Sequence, residues 1–343
     1  MKNMFKSIVV YVTAVLFLVI MSGCESKDNK NEKTSTFNIE EKTKIRLGLA
    51  MQPSSGLIMV ALKNGYFKRY GLDIEITEFP SGKRALKEGL FKGKVDIASS
   101  ADVPVAVSML NGEEFKIVSV IFKADNVNRV VARKDAGISK PSDLKGKKIA
   151  TQKASAVHFF LNQFLTEHNI LEEDINLSFM KAELLPKALA VGKIDAFSMR
   201  EPYISEAKKL LKDKFIVFEE PGLYPQIDAV VVSSDFIKKS SRGVNGFVKA
   251  LLDAQRYIEK DPKSAIKIIS DKLGVSYSSI EKIWPEVNLS VSLEQSMILL
   301  MENISRWAIK NKIVEKQNVS NSLEFIYFIG LEDSNPDAVT ILR

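Results

Sequence analysis

The hydrophobic residues in the first two thirds of the chain alternate between strand patterns and helix patterns. Ile45, Leu47 and Leu49 alternate with other residues as in a partly buried strand, and an apolar helix pattern follows over 57–63. This succession of strand, loop and helix recurs up to about residue 240. The alternation predicts an α/β fold in which helices connect parallel strands.

Two stretches of this pattern are near-copies of each other. The stretch 93–104 reads GKVDIASSADVP, and 99 residues later the stretch 192–202 reads GKIDAFSMREP. Upstream of each, AMQPSS at 50–55 is echoed by ATQKAS at 150–155. In each copy a glycine ends a helix, apolar residues form a buried strand, and a proline lies at the start of the next helix. The shared order and spacing predict two α/β lobes, with the loops at the carboxyl ends of strands where ligands bind in such sheets.

Two extended runs, 127–133 and 226–233, can carry the chain from one lobe to the other. We therefore expect a first lobe over 45–130, a second lobe over 131–226, and a return to the first lobe over 227–343. Two extended crossings of this kind predict a hinged cleft between the lobes.

The last third of the chain is predicted to be helical. Val244, Phe247 and Leu251 fall at helical spacing, and strand patterns stop near residue 236. Trp284, Met301, Ile304 and Trp307 are interpreted as buried residues of helices that pack outside the first lobe.

The start of the chain has the pattern of a secretory signal. Lys2 and Lys6 precede an apolar run over 8–21, which is shorter than a membrane-spanning helix. The run ends in small residues before Cys24, the single cysteine of the chain. This arrangement resembles the lipobox of bacterial lipoproteins, which implies removal of residues 1–23 and a lipid on the Cys24 sulfur. The alternative is an uncleaved membrane anchor with an incidental cysteine.

The segment 24–44 is predicted to be a flexible tether, because it holds mostly charged and small polar residues with little to bury. Lysine and glutamate are scattered along the rest of the chain without a basic stripe, despite a net charge of +7. We read this pattern as solvated surface and not as a nucleic-acid site. With one cysteine the body has no internal disulfide, so its stability depends on an apolar core.

Several motifs occur together in the chain. They are the lipobox, GYFKRYGLD at 65–73, SSAD at 99–102, DLKGKK at 143–148 and REPY at 200–203. Together they resemble the solute-binding lipoproteins of ABC importers, in particular the nitrate/sulfonate/taurine-binding family. That family shares its fold with thiamine-pyrimidine synthases and with binding proteins for thiamine-precursor pyrimidines.

The resemblance implies a two-lobed periplasmic-binding-protein type II fold with a helical C-terminal extension. It also implies a lipid-anchored protein on the outer face of the bacterial cytoplasmic membrane. Such a protein captures a small oxyanion, such as a sulfonate, taurine or nitrate, and delivers it to an ABC permease and its ATPase.

The candidate ligand-binding residues lie on loops that open helices or on the first crossing run. They are Gln52, Ser54, Ser55, Ser99, Ser100, Asn128, Ser155, His158, Arg200 and Glu201. Helix N-termini present unpaired N–H groups and a partial positive charge, and hydroxyls add donors, so such loops can hold an anion. An arginine can pair with an anionic head group through two hydrogen bonds.

Each of these residues also has a structural interpretation. The serines can be ordinary helix caps, His158 can be a packing residue, and Asn128 can serve the turn or hinge. Arg200 can pair with Glu201 or Asp102 across the cleft. Asp102 itself is predicted to cap a helix, because a carboxylate beside an anion would repel it.

Enzyme motifs are missing from the sequence. It contains no Gly-x-Ser-x-Gly, no His-x-x-x-His and no Walker loop, and its two histidines stand ten residues apart on one predicted helix. The related pyrimidine synthases use histidine with a cysteine-rich motif, whereas the one cysteine here belongs to the lipobox. We therefore predict a protein that is not an enzyme and needs no cofactor or metal. The alternatives are binding of a thiamine-precursor pyrimidine or other heterocycle, and a surface sensor without a transport role.

Overall fold

The computed structural model describes residues 42–343. The predicted signal over 1–23, Cys24 and most of the predicted tether lie outside the described residues. The strands are β1 (Thr43–Ala50), β2 (Leu72–Phe79), β3 (Ile97–Ala101), β4 (Phe115–Ala124), β5 (Arg129–Arg133), β6 (Lys148–Thr151), β7 (Asn176–Phe179), β8 (Ala196–Met199), β9 (Phe215–Phe218), β10 (Gln226–Ser233) and β11 (Val287–Asn288).

Helices connect these strands and form the C-terminal third. They are α1 (Gly56–Lys63), α2 (Tyr66–Arg69), α3 (Gly82–Arg84), α4 (Asp102–Leu110), α5 (Ala156–Glu167), α6 (Leu185–Ala190), α7 (Tyr203–Leu211), α8 (Ser234–Lys239), α9 (Ser241–Lys260), α10 (Pro262–Leu273), α11 (Tyr277–Ile283), α12 (Gln295–Lys310) and α13 (Ile329–Glu332). In the described part of the chain, none of them has both the length and the apolar character needed to cross a membrane.

The first sheet has the order β11-β4-β10-β3-β1-β2. β1 pairs in parallel with both β2 and β3, whereas β10 runs antiparallel between β3 and β4. Parallel pairs need helical crossovers, which α1, α2 and α3 provide. The carboxyl ends of β1, β2 and β3 therefore meet at one edge of the sheet.

The second sheet has the order β7-β6-β8-β5-β9 and follows the same plan. β6 pairs in parallel with β7 and β8, and β5 runs antiparallel between β8 and β9. In each sheet, a strand that arrives from the other sheet runs antiparallel to its two neighbours, β10 in the first sheet and β5 in the second. We call the bodies around the two sheets the first and the second lobe.

The chain crosses between the lobes before β5 and before β10. β5 begins at Arg129 and β10 begins at Gln226. The predicted lobe boundaries at 130/131 and 226/227 therefore fall within the first two residues of these strands. The two lobes, two crossings and helical C-terminal segment confirm the predicted fold class.

The repeated Gly-Lys-x-Asp motif has the same structural role in both lobes. The backbone N–H of Arg46 on β1 donates to the Asp96 carboxylate over 2.9 Å, and the N–H of Lys148 on β6 donates to the Asp195 carboxylate, also over 2.9 Å. In return, the N–H of each aspartate donates to the carbonyl of the same strand residue. Each aspartate therefore fixes the register of two neighbouring parallel strands.

The glycine that opens each motif ends the preceding helix in the left-handed conformation. Gly93 has φ 64° and Gly192 has φ 74°. A side chain is strained at such angles, so glycine is favoured at both sites.

The C-terminal helices do more than cover the first lobe. α9 packs against α1 and α2, and α12 packs against α4. Met301, Ile304 and Trp307 are buried as predicted, whereas Trp284 is half-buried. Trp307 also makes edge contacts with His158 and Phe159 of α5, so α12 touches both lobes.

Candidate functional site

The candidate site lies where loops from both lobes face each other. The loop at 51–55 follows β1 and opens α1, and the end of β3 leads directly into α4. In the second lobe the loop at 152–155 opens α5, and the loop at 200–202 opens α7. This arrangement follows from the sheet plan, because the carboxyl ends of parallel strands share one edge.

The serines of the first lobe are buried and paired with other side chains. The Ser54 hydroxyl donates to the Asp228 carboxylate over 2.7 Å. The hydroxyls of Ser55 and Ser99 lie 2.9 Å apart. Ser55 occupies the N-cap position of α1, but its side chain accepts no capping hydrogen bond. Gln52 is half-buried at the N-cap position of the short 3-10 turn before α1 and likewise makes no side-chain cap.

Ser100 lies at a close contact between two loops. Among residues 42–343, its hydroxyl reaches the carbonyl of Ala101 alone, at 3.4 Å. Gly82, at the start of α3, lies so close that an added Cβ would stand 2.5 Å from the Ser100 Cα and 2.7 Å from the Ser99 carbonyl oxygen. The loop after β2 is therefore held against the end of β3 because residue 82 has no side chain.

Asp102 has a structural role, but the prediction that it caps a helix is wrong: it is the first residue of α4, whose N-cap is Ala101 and has no side-chain cap. Its carboxylate accepts hydrogen bonds from the N–H of Val103 at 2.7 Å, from the N–H of Ile227 at 3.0 Å and from the Tyr224 hydroxyl. Burial raises its pKa to about 7, although the Tyr224 hydroxyl and the backbone donors act in the opposite direction. The residue thus joins the start of α4 to the second crossing.

A continuous set of buried polar side chains forms one wall of the site. The Asn128 amide donates to the Gln226 oxygen over 2.9 Å, and the Gln226 amide donates to Asp228 over 3.0 Å. Asp228 also receives the Ser54 hydroxyl. We call Asn128, Gln226, Asp228 and Ser54 the cleft network.

Arg200 of the second lobe approaches this wall from the loop after β8. Its Nη1 lies 3.4 Å from the Gln226 oxygen, and Arg200 as a residue is half-buried. Burial raises the pKa of Asp228, while the positive charge of Arg200 acts to lower it. No ion pair within 4.0 Å joins Arg200 to any carboxylate among residues 42–343, so its other N–H groups are available.

Glu201 turns away from the cleft network. Its carboxylate accepts the Ser205 N–H at 3.0 Å and the Ser205 hydroxyl at 2.9 Å, and so caps α7. It also lies 3.6 Å from the Lys282 ammonium of α11. The alternative in which Arg200 pairs with Glu201 or Asp102 is not seen: no ion pair within 4.0 Å joins it to either carboxylate, and both accept hydrogen bonds from other groups.

The start of α5 differs in detail from a simple capped helix. Ser155 occupies the N-cap position, but its hydroxyl donates to the Gln152 carbonyl over 2.7 Å instead of accepting a helix N–H. His158 is buried in the first turn, where its Nδ1 accepts the Ala154 N–H at 3.3 Å.

The His158 ring is part of an aromatic cluster. Its centroid lies 5.0 Å from those of both Phe179 and Trp307, in edge contacts. Its Nε2 is 3.9 Å from a Glu172 oxygen and has no hydrogen-bond partner among the described residues. The ring therefore supports packing between α5 and α12, and its predicted ligand role stays a prediction.

Direct contacts join the two lobes beside the site. The Lys83 ammonium donates to the Lys153 carbonyl over 2.7 Å, and burial lowers the pKa of Lys83. The Phe159 ring meets Trp307 of α12 at 5.3 Å and Tyr224 on the second crossing at 5.0 Å. The structure therefore shows the lobes in contact across the cleft.

Sequence reasoning missed Gln226, Asp228, Tyr224 and Lys83. The hydrophobic pattern marks Gln226 and Asp228 only as part of an apolar strand that returns to the first lobe. The available signal was their polarity, since QID opens a strand that continues AVVV. Two buried polar residues at the start of an apolar strand indicate a polar partner or a ligand.

The described residues contain no cluster of three or more histidine, cysteine or acidic side chains able to hold a metal ion. The donors and acceptors of the site are hydroxyl, amide, carboxylate and guanidinium groups. Such a set has the donors and acceptors that a site for a small polar molecule would need.

Comparison with known proteins places this chain among proteins of similar length. It is 23% identical over 323 residues to a putative aliphatic sulfonates-binding protein of Bacillus subtilis (strain 168), covering 91% of this chain and 92% of the relative. It is 27% identical over 229 residues to the taurine-binding periplasmic protein of Escherichia coli (strain K12), covering 65% and 69% of the two chains.

The fold matches solved structures. The crystal structure of the periplasmic aliphatic sulphonate-binding protein SsuA from Escherichia coli superposes with a TM-score of 0.71 at 20% identity, covering 83% of this chain and 97% of the other. That likeness shows the periplasmic-binding-protein fold. The family model described as "NMT1/THI5 like" matches residues 52–265, which is more than half of the chain. The chain therefore belongs to the NMT1/THI5-like family.

Proposed function

We propose that this protein is the extracytoplasmic solute-binding component of an ABC importer and that its solute carries a small oxyanion group of the sulfonate type. The related proteins named above are binding proteins for sulfonates and taurine, which supports a transport role over catalysis. The observation that carries the proposal is the half-buried Arg200 facing the cleft network.

Arg200 has more donors than partners. A guanidinium has five N–H donors, and the one hydrogen bond described for this side chain is the 3.4 Å contact to Gln226. Partial burial of a cation costs free energy unless hydrogen bonds or an opposite charge compensate it. An oxyanion with two oxygens can accept two parallel N–H bonds from the guanidinium and supply that compensation.

Helix N-termini add to the positive potential on the second-lobe side. α5 has twelve residues, and it begins beside the loop that receives Lys83. No acidic residue lies in the first turn of α5, so its partial positive charge is not cancelled locally. α7 contributes less, because Glu201 already caps it.

Closure of the lobes is the step that signals a bound solute. The ligand would lie between Arg200 of the second lobe and the cleft network, and so join the two walls. The Lys83–Lys153 contact then completes the closed form. A permease that recognises both lobes together can distinguish this form from an open one.

The predicted lipid anchor completes the proposal. Lipidated Cys24 and the tether over 24–44 would hold the folded body at the outer face of the cytoplasmic membrane, near its permease and ATPase. Both features rest on the sequence pattern.

The proposal is tested by thermal unfolding with a panel of ethanesulfonate, taurine, nitrate and hydroxymethylpyrimidine. A ligand at a hundred times its dissociation constant stabilises the folded form by about 2.7 kcal/mol. In a body of this size that raises the melting temperature by several degrees. Stabilisation by at least one sulfonate is expected, whereas stabilisation by the pyrimidine alone would replace the oxyanion assignment with the heterocycle alternative.

The Arg200→Ala variant tests whether Arg200 binds the oxyanion directly. Loss of hydrogen bonds to a charged group costs about 1.5–3 kcal/mol, so the affinity for the oxyanion should fall roughly 10- to 100-fold. Arg133→Ala is the matched control, because Arg133 lies in the same lobe and pairs with Asp135. An equal loss in both variants would argue against a direct role for Arg200.

A further inference from the structure

The cleft network has a fixed hydrogen-bond direction. The Gln226 oxygen receives Asn128 Nδ2 and faces Arg200 Nη1, and Gln226 Nε2 donates to Asp228. Reversal of the Gln226 amide would place its oxygen against the Asp228 carboxylate and its NH2 against the guanidinium. Both contacts would be repulsive, so Gln226 has one favourable orientation.

This orientation also fixes the Asn128 amide. Since Gln226 offers its oxygen, Asn128 must offer Nδ2, which leaves the Asn128 Oδ1 acceptor on the other side of the same amide. Asn128 is only 3% exposed, and its Oδ1 accepts no hydrogen bond from any of residues 42–343. A buried acceptor without a donor is unfavourable, so this atom is suited to a donor from outside the chain.

Asp228 presents a negative charge beside this acceptor. The carboxylate is 3% exposed and receives two neutral donors, the Ser54 hydroxyl and the Gln226 amide. The positive charge of Arg200 acts on this carboxylate, but no ion pair within 4.0 Å joins the two. The wall thus favours a positively charged group.

We infer that the solute carries a protonated amine in addition to its oxyanion group, and that Asp228 and Asn128 Oδ1 bind the amine while Arg200 binds the oxyanion. The ligand class is a short zwitterion, such as an aminoalkanesulfonate. This inference rests on the proposed function and narrows it.

The two charged ends explain why both lobes are needed. Asp228 lies on β10 of the first lobe, and Arg200 lies on the loop after β8 of the second lobe. A zwitterion can place its amine at Asp228 and its oxyanion at Arg200, and so connect the two lobes. A simple alkanesulfonate or nitrate would leave Asp228 and Asn128 Oδ1 without donors, and sites built around a hydrogen-bonding group reject analogues that lack it.

The test compares taurine with ethanesulfonate, which differ by the amine, in calorimetric titration of the full-length chain. Taurine should bind at least about 100-fold more tightly. Equal affinities would overturn the inference and leave the proposed oxyanion function standing. Absence of binding by every sulfonate would overturn both.

The Asp228→Asn variant tests whether Asp228 causes the preference for taurine over ethanesulfonate, because it keeps the shape of the side chain and removes the charge. The taurine affinity should fall by about 100-fold while that of ethanesulfonate is retained or improved. Asp102→Asn is the matched control, since it removes another buried carboxylate whose three donors come from the protein. It should change the melting temperature and leave the taurine-to-ethanesulfonate ratio unchanged.

A ratio that falls equally in both variants would contradict the assignment to Asp228. If Asp228→Asn does not fold, the wild-type ratio and Asn128→Ala decide the question. Asn128→Ala removes the acceptor and should lower the ratio. An unchanged ratio in that variant would overturn the part played by Asn128.

Discussion

The Asp102 carboxylate accepts the hydroxyl hydrogen of Tyr224, a residue 122 positions later in the chain. Tyr224 lies on the second crossing, two residues before β10, and Asp102 is the first residue of α4. The pair therefore connects a helix start at the candidate site to the segment on which the lobes must hinge. Both groups are buried, and the Tyr224 hydroxyl depends on Asp102 for its hydrogen bond, whereas Asp102 also accepts two backbone N–H groups.

Asp102 should make stability depend on pH. Its pKa is about 7 in the folded protein and near 3.8 when exposed, so the folded form holds its proton more tightly. The stabilisation is complete below about pH 4 and is lost as the pH rises through about 7, and it amounts to a few kcal/mol at most. Asp102→Asn should flatten this decline in urea unfolding measured from pH 4.5 to 8. Equal slopes in the two proteins would show that Asp102 does not titrate in this range.

Gly82→Ala should destabilise the protein and disturb the end of β3. The added Cβ would meet backbone atoms of Ser99 and Ser100, which cannot move as a flexible side chain can. The expected loss is about 1–3 kcal/mol of unfolding free energy. Gly246→Ala is the control, because its Cβ would find ordinary contacts at 3.4 Å or more inside α9. That variant should gain about 0.5–1 kcal/mol, and similar losses in both would refute the steric explanation.

Lys83→Met should favour the open form. The change keeps an unbranched side chain of similar length and removes the ammonium group that donates to the Lys153 carbonyl. The radius of gyration from small-angle scattering should be larger without ligand, and the ligand affinity should fall by up to about tenfold. Lys87→Met, on an exposed side chain one turn later, should leave both unchanged. A ligand that leaves the wild-type radius unchanged would contradict hinged closure altogether.

Cys24→Ser should release the protein from membranes. A lipid-modified cysteine carries two acyl chains, and two lipid signals give stable anchoring where a single chain does not. The measurement is the share of protein in the membrane fraction of producing cells. Ser35→Ala, in the predicted tether, should remain anchored. Retention of the Cys24→Ser protein on membranes would refute the lipoprotein prediction.

The sequence predicted the loops of the site better than their contacts. The repeated Gly-Lys-x-Asp stretches come directly before a strand, and the Gln-x-x-Ser stretches come just after one. Such boundaries could be predicted because the start and end of a strand or helix depend mainly on neighbouring residues. The role of Asp96 and Asp195 in strand register is also local to each βαβ unit. These features could be predicted because the residues that determine them are close to each other in the sequence.

The cleft network could not be predicted in this way. Asp228 reaches Ser54 across 174 positions, and Asn128 reaches Gln226 across 98. Those contacts depend on the register in which β10 joins β3, with Asp228 opposite Ala101. A shift of one residue would turn Asp228 to the other face of the sheet. The hydrophobic pattern of β10 alone does not determine that register.

The position of β10 inside the first sheet also orders the folding of the chain. The second sheet needs only residues 129–218, and all of its strands are made before β10 begins. The first sheet lacks the strand between β3 and β4 until residue 233 has been synthesised. During vectorial emergence from a ribosome or translocon, we therefore expect the second lobe to collapse first. Until β10 has been made, the apolar strands β3 and β4 of the first lobe lack the partner strand between them. We expect a chaperone to protect the chain mainly during this interval.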